Sequence, residues 1–266
     1  MARLKKYLVI SSQTAQTALA YRITFFISLL SGLIQALVLY YIWQVVFSGR
    51  TSLNGFDFPE MVTYIFVSYA IKNLYGFYTE TAISSKIRDG SVSFELIRPL
   101  NYQLARFFES LGSILIEGLI IGILVLVIGA ALFGMRGPAS AGAGIAFTLS
   151  VVFSLLINFS LCFIVGLISF WSTSVFGLVN SKRLIVDFLS GGLIPLAFFP
   201  GWLKTIALVL PFHGIVSSPV LIYLGKITGP ATYIELFKQA AWAVLLWLAG
   251  SVLWLQARKT VTIHGG

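Results

Sequence analysis

Six stretches of this chain are apolar for long enough to cross a bilayer, and they leave little sequence for anything else. They fall at 23–47, 61–78, 111–133, 145–171, a longer interrupted tract at 184–224, and 233–255. A helix needs about 20 apolar residues to cross roughly 30 Å of hydrocarbon. Backbone polar groups find no water there, so a spanning segment must satisfy its own hydrogen bonds as a helix or close into a barrel. Runs of this length predict helices. Only 10% of the residues are charged and the mean hydropathy is +0.93, against about 25% charged in soluble domains. The expected fold class is therefore an all-α integral membrane protein, one transmembrane domain over 1–266.

The net charge of +9 is a matter of location and needs no nucleic acid to explain it. Arg3, Lys5, Lys6, Arg22, Lys86, Arg88, Arg98, Arg106, Lys182, Arg183, Arg258 and Lys259 share one side of a six-span topology. Arg50, Arg136, Lys204 and Lys226 occupy the other. Lysine and arginine accumulate in cytoplasmic loops, so both termini and the polar stretch after the second run are expected in the cytoplasm. Attraction to anionic membrane lipid is a secondary consequence. The basic start resembles a signal n-region, but Ser11, Ser12, Gln13 and Thr14 interrupt any apolar h-region.

Before the first run, Leu4, Leu8, Ala15 and Leu19 recur at near-helical spacing beside Tyr7, with basic residues opposite. That pattern predicts an interfacial helix over 1–22. The second run should continue as helix through 83–88 until Gly90 allows a left-handed turn. A short helix over 91–97 follows, broken by Arg98-Pro99 because a residue before proline disfavours helical backbone. Asn101 is placed to cap the next helix. The segment 81–110 is thus read as a helical knuckle held clear of the lipid.

The tract 184–224 is cut by Gly191-Gly192, Pro195, Pro200-Gly201, Pro211 and Pro219. Two full crossings would carry Arg258 and Lys259 to the wrong side. One span at 184–199 is expected, followed by a re-entrant helical hairpin within 200–231, with helices near 202–210 and 215–224 and a turn at 211–214. Irregular backbone at membrane depth requires protein or water to satisfy it.

Ionisable groups inside spans are costly and mark function by default. Lys72 and Glu117 are expected at similar depth and are read as a pair, structural or on a transport pathway. Asp187 is read as an interfacial partner for Lys182 and Arg183. No G-x-x-x-x-G-K-[ST] phosphate loop is present, since Gly225-Lys226 lacks the upstream glycine and the hydroxyl. The histidines, His213 and His264, lack metal-ligand spacing; His213 is read as a hydrogen-bonding group of the outer turn. Cys162 is the single cysteine, which excludes an internal disulfide. Tyr40, Tyr41, Trp43, Trp171, Trp202 and Tyr223 fit interfacial belts.

Three motifs, in order, carry a resemblance across essentially the whole chain. They are Gly90 to Leu100 (GSVSFELIRPL), Gly191 to Leu196 (GGLIPL) running on to Phe199-Pro200-Gly201-Trp202-Leu203, and Leu210-Pro211-Phe212 followed by Pro219 and Tyr223-Leu224-Gly225. With the six-run layout, the chain resembles permease subunits of ABC-2 type exporters, in particular the six-pass group of daunorubicin- and viologen-type exporters. The resemblance implies a half-transporter of a bacterial cytoplasmic membrane. Two permease subunits would pair, as a homodimer or with a sister chain, and each would dock a separate ABC ATPase carrying ATP and Mg; the permease itself would hold no cofactor. It implies a coupling helix built from Gly90, Ser91, Phe94, Glu95, Leu96, Ile97, Arg98 and Pro99. It places an outer gate around Pro195, Pro200, Trp202, Pro211, Phe212 and His213. The cargo class it suggests is amphipathic or hydrophobic small molecules or peptides. Two competing readings are an ion-coupled secondary carrier using Lys72, Glu117 and Asp187, and a purely scaffolding subunit.

Overall fold

The computed structural model describes residues 2–20, 22–75, 79–172 and 175–260. Apart from one isolated bridge between Leu53 and Phe56, the regular structure of these residues is helical. Tyr78, expected at the end of the second span, and His264 lie outside the described residues, as do the side chains of Leu4, Leu19, Arg22 and Leu96.

The chain opens with α1 (Ala2–Ala20) and α2 (Arg22–Val46), then α3 (Phe58–Asn73), α4 (Thr79–Arg88) and the short α5 (Val92–Leu96). Next, α6 (Tyr102–Ser113) passes through a π-helical turn, Ile114–Gly118, into α7 (Leu119–Phe133). The long α8 (Ala141–Leu167) and α9 (Phe176–Leu189) precede two short helices, α10 (Gly201–Val209) and α11 (Ser217–Tyr223), and α12 (Pro230–Ala257) ends the fold.

Four helical stretches have the length and apolar composition to cross a bilayer: Phe26–Val46, Tyr102–Phe133, Ala141–Phe170 and Pro230–Ala257. The other two expected spans are shorter, with 16 residues in α3 and 14 in α9. The span expected at 184–199 is displaced: α9 starts at Phe176 and stops at Leu189. It stops because Gly191 takes φ +80°, a left-handed conformation that ends helices at glycine. The two short helices after it match the expected pair, and the turn between them is a 3-10 segment, Pro211–Gly214.

α8 is the central strut, packed by α12, α4 and α11, while α3 packs on α7 and α2. Its inward side carries Ser150, Ser154, Ser160 and Gly166. Small residues let helix backbones approach where lipid supplies no hydrophobic drive between helices. Large apolar side chains stand exposed: Ile23, Phe26, Ile27 and Leu30 on α2, and Tyr233, Phe237 and Leu245 on α12. Such a surface suits hydrocarbon, where an apolar exterior carries no penalty. A second, smaller core lies at the α4–α5 end, built from Ile83, Val92, Tyr102, Phe159, Phe163 and Leu167.

The N-terminal helix forms, with one face packed on α6. Tyr7 and Ser11 are buried against α6, and the Tyr7 hydroxyl accepts from the Asn101 amide at 3.0 Å. Gly112 of α6 lies against the Ser11 carbonyl. Leu8, on the apolar stripe, is half exposed together with Val9. A tyrosine with a polar partner and a small serine pack more closely on α6 than leucine does, and the leucine is free to meet lipid.

Candidate functional site

The 81–110 segment is a knuckle, as its breaks suggested. Gly90 ends α4 at φ +75°, and the Asp89 carboxylate accepts from the Ser91 amide at 2.9 Å. The Ser91 hydroxyl and amide hold the Asp89 carboxyl below its usual range. The short helix is trimmed to Val92–Leu96. Arg98 and Pro99 lie beyond it, exposed, and the Asn101 side chain caps α6 by accepting from the Leu104 amide at 2.9 Å.

One face of the knuckle is locked inward. Glu95 Oε1 receives Lys86 Nζ and Arg106 Nη2, each at 2.9 Å. Glu109 closes the cluster against Arg106 and, at 3.4 Å, Lys86. Two cations and two carboxylates therefore join α4, α5 and α6. Glu95, grouped with the coupling contacts from sequence, spends its carboxylate on this internal brace. The outward face is apolar: Phe94 is 69% exposed and Ile97 80% exposed.

Below the knuckle, α4 is fastened to the helical body twice. Ile83 is fully buried against Gly166 of α8. Glu80, also fully buried, holds Lys182 Nζ of α9 at 2.6 Å, and the same ammonium lies 3.1 Å from Cys162 Sγ of α8. A second ion pair joins Lys72 of α3 to Asp187 of α9 at 2.9 Å. The expected Lys72–Glu117 pair is therefore not formed, and Lys182, expected beside Asp187, pairs elsewhere. Gly118, not Glu117, faces the α3 backbone at Asn73 and Leu74. Glu117, one residue earlier in the π-helical turn, makes no ion pair among the described residues. Lys182 instead reaches Glu80, which lay unremarked at the edge of the polar stretch.

At the opposite end, the turns from Gly191 through α10 and α11 break the helical ladder and free carbonyls. Side chains from the long helices take them up. Tyr64 donates to Gly191 O at 2.8 Å, and Gln239 donates to Gly214 O at 2.6 Å. Tyr75 and Ser154 converge on Ile215 O. His213 is buried with Nδ1 at 2.7 Å from Leu210 O and Nε2 at 2.8 Å from Glu235 Oε1. A carbonyl only accepts, so the hydrogen of this contact sits on Nδ1. Ser218 also donates to Glu235, at 2.7 Å. Among the residues expected at an outer gate, Pro195, Pro211 and His213 are buried, Phe212 is half-buried, and Pro200 and Trp202 are exposed.

Sequence reasoning missed this ladder. Its trace was present as polar residues at helical spacing inside apolar runs, Ser150 and Ser154 on α8 and Glu235 and Gln239 on α12. No group of three metal-ligating side chains is found among the described residues.

Long apolar helices, a braced knuckle at one end and a polar ladder over two short helices at the other fit a multi-pass membrane permease. The chain belongs to the ABC-2 transporters: a model described as an ABC-2 family transporter protein matches residues 6–265. Members are membrane transport subunits, not themselves catalytic, and generally work with ABC ATPase partners. No curated protein matches the chain.

Proposed function

We propose that this chain is the transmembrane half of an ATP-driven exporter of a bacterial cytoplasmic membrane. In this reading α2, α3, α6–α7, α8, α9 and α12 form six spans with both termini in the cytoplasm. Two such subunits, alike or paired with a sister chain, enclose the path, and two ABC ATPases that bind ATP and Mg drive it. The cargo is an amphipathic or hydrophobic small molecule or peptide.

The observation that carries the reading is the division of labour on α5. Its carboxylate is braced internally through Glu95, while Phe94 and Ile97 stand uncovered. Large apolar side chains exposed on a polar segment outside the membrane mark a protein contact. Force applied there passes into α4, and through Glu80–Lys182 into α9, the helix that leads to the hairpin. A switch between two packed arrangements of these helices would open the opposite end. The laddered carbonyls of Gly191, Gly214 and Ile215 support a re-entrant hairpin, because protein already satisfies the backbone that lipid could not.

Replacing Phe94 and Ile97 together with Asp tests the coupling. The permease should still insert and keep its thermal midpoint, yet stimulation of the copurified ATPase should fall at least about tenfold, as loss of buried apolar anchors does at other interfaces. Undiminished stimulation would defeat the reading. Uphill transport by the purified chain alone, driven by an ion gradient, would favour a secondary carrier.

A further inference from the structure

We propose that α9 is a lever whose fulcrum is set in a rigid plate at the α10–α11 end of the chain, and whose far end, near Phe176, is the part that swings. This deepens the transport reading by naming its moving element, and it rests on that reading only for what the swing accomplishes.

The plate is built on a capping box. The Asp57 carboxylate accepts from the Glu60 amide at 2.7 Å, and the Glu60 carboxylate accepts from the Asp57 amide at 2.9 Å. The same two side chains hold cations from two other loops. Asp57 holds Arg136 at 2.9 Å, and Glu60 holds Lys226 at 2.8 Å. Lys226 also donates to Gly55 O at 2.6 Å and lies 4.4 Å from the centre of the Phe56 ring. Backbone groups add further ties: the Arg136 amide donates to the Thr63 hydroxyl at 2.9 Å, and the Ala139 amide to Tyr223 O at 3.0 Å. A lone exposed ion pair contributes little, but several joined in a network hold a geometry. The start of α3, the loop from α7 to α8 and the end of α11 are thus fastened as one piece.

α9 ends on this piece. Ser190 O accepts from the Ser217 amide of α11 at 3.0 Å, and Gly191 O accepts from the Tyr64 hydroxyl of α3 at 2.8 Å. A Cβ at Gly191 would lie 2.7 Å from the Tyr64 hydroxyl oxygen, so glycine is what lets the helix end seat so closely. Away from this seat the packing thins. Val186 is the one buried residue of α9, whereas ten of the sixteen residues of α3 are buried. Segments with few buried contacts are the first to move.

Two ion pairs hold α9, at unequal distances from the seat. Asp187 is four residues from Gly191 and Lys182 is nine, about 6 Å and about 14 Å along the helix. A tilt of about 15° about Gly191 carries them roughly 2 Å and roughly 4 Å, and Phe176 roughly 6 Å. The Lys72–Asp187 pair follows so small a shift by side-chain rotation. Glu80 grips Lys182 at 2.6 Å on the long arm, where a pull from α4 has leverage.

The test measures distances between paired spin labels by pulsed electron resonance. It uses the purified full-length Cys162→Ser chain in nanodiscs without ATPase, with labelled subunits diluted by unlabelled ones. Phe176→Cys with Gln256→Cys spans the swinging end, since Gln256 adjoins fully buried Ala257 of the second core. Leu193→Cys with Thr228→Cys spans the fulcrum, and Ser52→Cys with Thr228→Cys spans the plate. Releasing the long arm with Glu80→Gln and Lys182→Met should shift or broaden the first distance by at least about 4 Å and leave the other two within about 1 Å. Lys72→Met with Asp187→Asn, close to the fulcrum, should move the first distance less than half as far. If the released variant does not fold, the unaltered chain decides: its first distance should be spread at least about twice as widely as its third.

A first distance unmoved by release, or spreads that are equal, would overturn the lever. Fulcrum or plate distances that move as much as the first would overturn the fixed seat. With the partner ATPase and ATP added, the first distance should shift in the same direction. A swing in the lone chain with no response to ATP would leave the lever standing and overturn the coupling, so the two failures are told apart.

Discussion

Lys182 touches three helices through one nitrogen. It lies on α9, holds fully buried Glu80 of α4 and rests against Cys162 of α8. Taking two charges out of water is costly, and the pair survives because each is the other's compensation. Removing one member strands the other. Lys182→Met should therefore destabilise the protein by about 3–5 kcal/mol, whereas Glu80→Gln with Lys182→Met should recover much of that loss. Thermal unfolding in detergent micelles reads both, and a double variant as unstable as the sum of the single ones would deny the coupling. The repaired double variant should still transport poorly if the pair carries force between α4 and α9. That second readout separates transmission from stability. Gln239 offers a milder case at the other end. Gln239→Leu leaves Gly214 O and the Ser150 hydroxyl without their partner, and the unmet buried carbonyl should lower stability by about 1–3 kcal/mol.

Among the elements, the knuckle depends on two chain reversals written plainly in the residues, Gly90 and Arg98-Pro99, and on one cap. Asn101→Ala removes the bond to the Leu104 amide and should cost about 1 kcal/mol of stability. The backbone N–H of residue 101, which donates to Tyr7, is kept in this variant, so amide exchange across 2–20 should stay unchanged. These features were legible because breaks and caps are local: glycine's φ, proline's ring and asparagine's carbonyl act on their immediate neighbours. The hairpin helices were legible for the same reason, with prolines and glycines marking each end. Pairings across helices were not. Lys72 was expected opposite Glu117 on the strength of depth alone, yet depth leaves rotation about the helix axis open, and rotation put Gly118 against α3 and turned Lys72 toward Asp187. Tyr7 and Leu8 are likewise adjacent in sequence but divided between protein and exterior.

For the whole molecule, the open quantity is how far each helix reaches. At 1.5 Å per residue the 16 residues of α3 cover about 24 Å, and the 14 of α9 about 21 Å, both short of roughly 30 Å of hydrocarbon. A short helix is accommodated when neighbouring protein covers the remainder or the bilayer thins around it. α9 has such a neighbour, because its Gly191 end is tied to α3 by Tyr64, and the α10–α11 segment is tied to α8 and α12 by the Ser154 and Gln239 bonds. The six-span reading then requires α9 and the hairpin together to make one crossing, so that the end of α12 returns to the side of the knuckle. A Cys162→Ser background with one new cysteine at a time tests this in right-side-out vesicles with a membrane-impermeant maleimide. Ile97→Cys and Lys259→Cys should label only after the vesicles are opened, and Thr228→Cys should label in intact ones. Labelling of Lys259→Cys in sealed vesicles, with Ile97→Cys still protected, would mean that the hairpin adds a crossing. The four full-length helices would then belong to a different topology.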